Sequence, residues 1–190
     1  MTNHMNQLLP VLRLSAVCLV VCAVIYPLLV TGIGMLFFPH QANGSLIEDE
    51  NGRVIGSSLI GQSFSDEGLF HGRISSIAYD ASGSGSPNYA PSNPELAART
   101  AEANQEQQLL NPDGESVPAD LITNSASGLD PHISVEAAIY QVPRIAEASG
   151  ITHKELYHLI EQNRTTTMEE LVGSPAVNVL QLNMDIEAAR

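Results

Sequence analysis

Apolar and polar positions divide the chain into two regimes. From Leu14 to Phe38 there are 25 residues without a single Asp, Glu, Lys, Arg or His. As a helix this run is about 37 Å long, against a hydrocarbon core of about 30 Å, so it predicts a single transmembrane helix. It is too long for a secretory signal, and "FFPHQA" offers no Ala-x-Ala cleavage pattern, so the helix reads as an uncleaved anchor. Beyond it, short periodic segments alternate with turn residues. "ANGSLIEDENGRVIGSSLIGQSF" reads as hairpin-like strands with turns at Asn43-Gly44 and Asn51-Gly52. Residues 80–94 are rich in Gly, Ser and Pro and predict a loop.

Asn93-Pro94-Glu95 then carries a helix start, with Asn as cap and Pro in the first turn; that helix runs to about Leu110 and stops at Asn111-Pro112. "VPADLIT" predicts a short extended stretch. From Ser134 to Ala148, apolar residues at Val135, Ala138, Ile139, Val142, Ile145 and Ala146 repeat at the helical period, and Gly150 ends the helix. Thr152 with Glu155 forms a capping box for a helix to about Asn163, and "AVNVLQLN" (Ala176 to Asn183) predicts a strand. The fold class is α+β: a short N-terminus (1–13), one transmembrane helix (14–38) and one mixed α/β soluble domain (39–190).

Within the anchor, Pro27 frees a carbonyl and bends the helix. Thr31, Gly32 and Gly34 lower the side-chain profile and permit close approach of another helix. These four are the candidate contacts to partner membrane helices, the alternative being the ordinary Gly and Pro content of membrane spans. Cys18 and Cys22, four apart, share a face and serve as small packing residues; the rest of the chain has no cysteine, which excludes disulfides and thiolate chemistry there.

Charge adds orientation. Arg13 flanks the N-terminal end of the run, while Glu48, Asp49 and Glu50 against Arg53 follow it, which favours the N-terminus inside and the domain outside the cytoplasm. Residues 39–190 hold all 21 acidic and seven of the eight basic residues, a net charge of −14. That surface repels nucleic acid, which is excluded as a partner.

"SASGLDPHIS" (Ser125 to Ser134) gathers three serines, an aspartate and a histidine. Catalysis would need Ser127, Asp130 and His132 to converge, but triads are assembled from distant positions and no Gly-x-Ser-x-Gly is present. A metal site would need a third converging ligand, and His153 and His158 lie off a shared helical face. The simpler reading is a rigid lead-in: Gly128 for a tight turn, Asp130 bonding its downstream amides, and Ser134 capping the next helix. The positive end of that helix is then a place for an anion or a partner carboxylate. No catalytic and no metal-ligating residue is assigned.

The segments "YPLLVTGIGMLFFPHQANGSLI", "GSSLIGQSF", "FHGR", "PSNPEL", "VPADLIT", "SASGLDPHIS", "AAIYQVPRIA" and "VGSPAVNVLQLN" occur in one order around one anchor. Together they resemble the C subunit of the Kdp-type potassium-transporting ATPase. The chain departs from that family around Ile74 and residues 82–91. The resemblance implies a non-catalytic accessory subunit in the inner (plasma) membrane. It would assemble with a channel-like potassium-binding subunit and a P-type ATPase subunit, in contact with membrane lipid, and raise the affinity of the ATPase subunit for ATP. No cofactor is held tightly, and ATP is contacted only together with the ATPase subunit. ATP binds on the cytoplasmic side, opposite the domain as charge places it; either the coupling runs through the membrane helix or that role needs revision. Gln141 and Arg144 on the 134–148 helix, with Asp130 and Ser127, are the candidates for partner or nucleotide contact. Gln141 is placed on the face that alternates with the apolar stripe, where it is otherwise a solvated residue. The competing readings are a membrane-anchored extracytoplasmic enzyme and a free-standing binding module.

Overall fold

The computed structural model describes residues 2–49, 51–165 and 173–190, with side chains from residue 8 onward. Glu50 of the flanking charge count and Val172 of the "VGSPAVNVLQLN" segment lie outside the described residues. The chain forms two compact units, Met1–Leu46 and Ile47–Arg190.

The first unit is one long helical rod. α1 (Thr2–Val20) continues into a π-helical turn (Val21–Ile25) and then α2 (Tyr26–Phe37). Leu8–Phe37 is long and apolar enough to cross a membrane. The helix therefore begins well before the uncharged run and carries Arg13 on it. The π turn sits directly ahead of Pro27, whose ring would crowd the carbonyl of Ala23 in a regular α-helix. Widening the turn relieves that crowding, with Tyr26 N–H bonding back to Val21 O, five residues earlier. Phe38 leaves helical geometry, and one further turn, α3 (Pro39–Ala42), follows. The Asn43-Gly44 turn thus connects a helix to a strand rather than two strands, and Gly44 takes the left-handed φ of +88° there.

In the second unit β1 (Leu46–Glu48) and β2 (Val54–Ser57) pair across Asn51-Gly52, as the pattern predicts. Asp49 fixes this turn: its carboxylate accepts from Asn51 and Arg53 N–H, both at 2.9 Å. No regular element spans residues 80–92. α4 (Pro94–Leu110) starts at Asn93, whose side chain accepts from Glu95 N–H. The segment read as extended at "VPADLIT" is instead a helical turn, α5 (Ala119–Ile122). Pro118 sets its entry, and Thr123 Oγ1 donates back to Ala119 O at 2.7 Å, closing the turn locally.

β3 (His132–Ser134) pairs antiparallel with β4 (Ala176–Asn178), Ile133 opposite Val177. α6 (Val135–Ser149) begins at Ser134, which accepts from Ala137 N–H, and ends at Gly150 with φ +76°. α7 (His153–Gln162) carries both halves of the Thr152/Glu155 capping box. The strand predicted over "AVNVLQLN" is only three residues long. Asn178 accepts from Gln181 N–H and caps α8 (Val179–Ala189), which buries Leu182 and Ile186. β-branched content misled there: Val179, Leu182 and Ile186 also recur at the helical period. The core is the buried face of α6 (Ala137, Val142, Ile145) with Leu156 and Ile160 of α7, Leu182 and Ile186 of α8, Phe70 and Leu121. The α+β class and the apolar helix ahead of a mixed domain stand as read.

Candidate functional site

Two polar clusters organise the second unit. The first surrounds the extended segment Phe70-His71. Gln141 projects from α6 and Asn183 from α8, and both are buried. Asn183 Oδ1 accepts from Phe70 N–H at 2.8 Å while its Nδ2 donates to Phe70 O at 2.9 Å. Gln141 repeats this one residue on, accepting from His71 N–H at 2.8 Å and donating to His71 O at 3.1 Å. Two side-chain amides thus satisfy a backbone segment that has no strand beside it, which a buried backbone requires.

Arg144 completes the cluster. It donates to Asn111 Oδ1 (2.9 Å), Leu69 O (3.1 Å), Glu67 O and Gln141 Oε1 (2.9 Å). Burial lowers its pKa to about 10, opposed by the charges of Glu67 and Asp66, so it stays cationic at neutral pH. The same burial, then the Arg144 charge, lowers the pKa of the His71 ring. Gln141 therefore does not stand where the alternating pattern put it. It lies three residues after Ala138 and four before Ile145, within the stripe, and is 0% exposed, whereas Ile139 of the expected core face is 44% exposed. Gln141 and Arg144 are both committed to this chain's own backbone and side chains.

The second cluster is the "SASGLDPHIS" loop. Ser125, fully enclosed, accepts from Gly128 N–H (3.1 Å) and Asp130 N–H (3.3 Å). Gly128 turns with φ +73°. Ser75 Oγ donates to Gly128 O at 2.6 Å, and Gly61 N–H reaches Leu129 O at 2.8 Å, tying the loop to two others. Asp130 joins the loop to Arg73 at 3.1 Å and accepts from His132 N–H at 3.0 Å. Tyr79 hydroxyl donates to Arg73 O, holding the arginine's own backbone in place. A groove of about 460 Å³ runs over this loop, lined by Leu59, Ile60, Arg73, Leu129 and Pro131 among others.

Ser127 accepts from Leu129 N–H at 3.1 Å and meets Ser125 Oγ at 3.2 Å; it shares no hydrogen bond with His132. The loop is the lead-in the sequence predicts, built on Ser125, which sequence reading passed over; its signal was a hydroxyl three residues before a glycine that must turn. The anion place at the start of α6 is filled from within: the Asp120 carboxylate accepts from Ser134 N–H at 2.7 Å and from Ser134 Oγ at 3.2 Å.

His132, with Arg73 beside it, pulls the Asp130 carboxyl down to about 2. The His132 ring is 3.6 Å away, beyond hydrogen-bond range, so its backbone N–H and Arg73 at 3.1 Å make the short contacts. Because the folded pKa lies below the unfolded value of about 3.9, this stabilisation is complete above about pH 5 and is lost as pH falls toward 2. One third of the carboxyl is exposed, so solvent screening reduces the contribution to about 1 kcal/mol. Urea titrations at pH 6 and pH 2.5 should show the wild-type advantage over Asp130→Asn shrinking at the lower pH; an unchanged gap would refute the ionic account.

Pro27, Thr31, Gly32 and Gly34 all lie on α2, exposed or nearly so along the helix. They belong to the first unit.

Residues 8–188 match the family model described as KdpC, the K+-transporting ATPase c chain. A potassium-transporting ATPase KdpC subunit of Bacillus cytotoxicus is 50% identical over 189 residues, 98% of each chain. Subunits of the same name from Bacillus thuringiensis and Bacillus cereus are 46% and 45% identical over the same share of each chain.

Proposed function

The chain belongs to the KdpC family of K+-transporting ATPase c chains, and from that premise we propose that it is a non-catalytic accessory subunit of a potassium importer, needed to assemble the complex. Its proposed partners are a channel-like potassium-binding subunit and a P-type ATPase subunit, with lipid around the helix. Leu8–Phe37 crosses the inner (plasma) membrane once on this reading, N-terminus in the cytoplasm and domain outside it. Arg13 is the charge that supports this orientation.

The observation that carries the accessory role is the commitment of the domain's polar side chains to itself. Gln141, Arg144 and Asn183 are spent on the segment from Glu67 to His71 and on Asn111. Ser127 and Asp130 are spent on their own loop and Arg73. A nucleotide would have to compete with these bonds across an acidic surface. We therefore assign any rise in the ATP affinity of the ATPase subunit to the assembled complex, transmitted through the membrane helix, with no nucleotide or other cofactor held by this chain alone.

Isothermal titration of the detergent-solubilised full chain with ATP should give affinity no better than millimolar, while the complex with the ATPase subunit binds ATP more tightly with the chain than without it. Micromolar binding to the isolated chain would overturn this reading. So would recovery of the tagged chain from mild detergent as a monomer free of other subunits.

A further inference from the structure

We propose that the turn of the membrane helix at Cys22 and Ala23 docks a membrane helix of another subunit of the complex, one that carries a short hydroxyl or amide side chain at that depth. The proposal rests on the reading that Leu8–Phe37 spans the bilayer.

In the π turn, Tyr26 N–H serves Val21 O. The next donor in that register is residue 27, a proline, which has no N–H. The carbonyl of Cys22 is thus without the donor its neighbour has; for Ala23, Pro27 removes the donor of a regular α-helix and leaves only Leu28, five residues on. Back-bonding by the chain's own side chains needs Ser or Thr three or four residues on. Those positions are Ile25, Tyr26 and Pro27. Tyr26 carries its hydroxyl at the far end of a rigid ring, 64% exposed.

Depth makes the deficit matter. Cys22 stands midway along Leu8–Phe37, about 21 Å along the axis from either end. That places it near the centre of the hydrocarbon, where neither lipid nor water donates. The donor has to come from protein.

The face is set by the helical period. Thr31 and Gly34 follow Pro27 at four and seven residues and lie on its side, while Gly32, five on, is turned about 140° away. A Cβ at Gly34 would meet only Ala42 Cβ, at 3.9 Å. Small residues beside an open carbonyl let a neighbouring backbone come near enough for a short side chain to reach it. A second copy of this chain does not fit. Its only Ser, Thr, Asn or Gln between Leu8 and Phe37 are Ser15 and Thr31. In a parallel copy these lie about 10–14 Å above and below the Cys22 carbonyl.

Two measurements on the full chain in its complex test this. Gly34→Leu should lower recovery of the other subunits on the tagged chain at least tenfold, and Gly32→Leu should leave it within twofold. Equal effects, or loss with Gly32→Leu alone, overturn the assigned face. For the bond itself, Cys18→Ala leaves Cys22 as the one cysteine, so carbonyl-labelled cysteine marks its C=O uniquely. The labelled chain, reconstituted with unlabelled subunits, should show that infrared band moving to lower frequency on assembly. An unmoved band, or one that moves in the isolated chain through self-association, defeats the proposal. A wild-type chain that recovers no other subunit defeats instead the accessory-subunit reading beneath it.

Discussion

Replacing Gln141 by leucine is expected to cost the domain about 4 kcal/mol, a large share of its stability. Leucine fills the volume but leaves His71 N–H, His71 O and one Arg144 N–H without the partners they have now. Each buried group left unpaired costs about 1–3 kcal/mol, against a total stability of about 5–15 kcal/mol for a domain this size. Gln141→Glu separates the causes. A carboxylate keeps the acceptor for His71 N–H and gains an ionic partner in Arg144, losing the donor to His71 O and Ala137 O, so it should recover about half the loss. Urea denaturation of the full chain in mild detergent, followed by helical circular dichroism, gives both values. A Gln141→Leu midpoint within error of wild type would mean that the amide does not hold this segment.

Gly128→Val should be comparably damaging, also by about 4 kcal/mol, for an unrelated reason. The residue sits at φ +73°, where a β-branched side chain is strained by about 1–3 kcal/mol. Its Cβ would lie 2.6 Å from Ile77 Cγ1 and 3.1 Å from Gly85 O, which forces loops apart at a further cost of about 1–3 kcal/mol. Ser127→Ala, one residue away, removes the acceptor for Leu129 N–H and the contact with Ser125 Oγ and should cost about 1–2 kcal/mol. The same denaturation measurement ranks the two. If Ser127→Ala instead abolished transport in a complex that still assembled, a chemical role for that hydroxyl would return.

What could be read ahead of the structure was local. The caps at Asn93, Ser134 and Thr152/Glu155 and the stop at Gly150 were legible, because each depends on residues within four places. The turn at Ala119–Ile122 and the helix from Val179 were not. Asn178 followed by Gln181 at the third position was the available sign, hidden behind two valines. The pairing of the clamp with Phe70-His71 had no local sign, since its members are 70 and 113 residues apart. A glutamine inside an apolar stripe was the one hint that a buried partner waited for it. The membrane helix was half legible: Pro27 foretold a freed carbonyl and its spacing sets Gly34 apart from Gly32, but the π turn that hands Tyr26 N–H to Val21 O had no sign in the sequence.

The Phe70 clamp also sets a timetable. Asn183 lies 113 residues downstream of the backbone it holds, so a ribosome adding about 5–20 residues per second leaves Phe70 without that partner for roughly 6–20 s. Throughout that interval the core also lacks Leu182 and Ile186. On the proposed topology this is useful, because a polypeptide threaded through a bilayer must travel as an open strand. On that topology, the long reach of one asparagine would leave the domain open until most of it has been made.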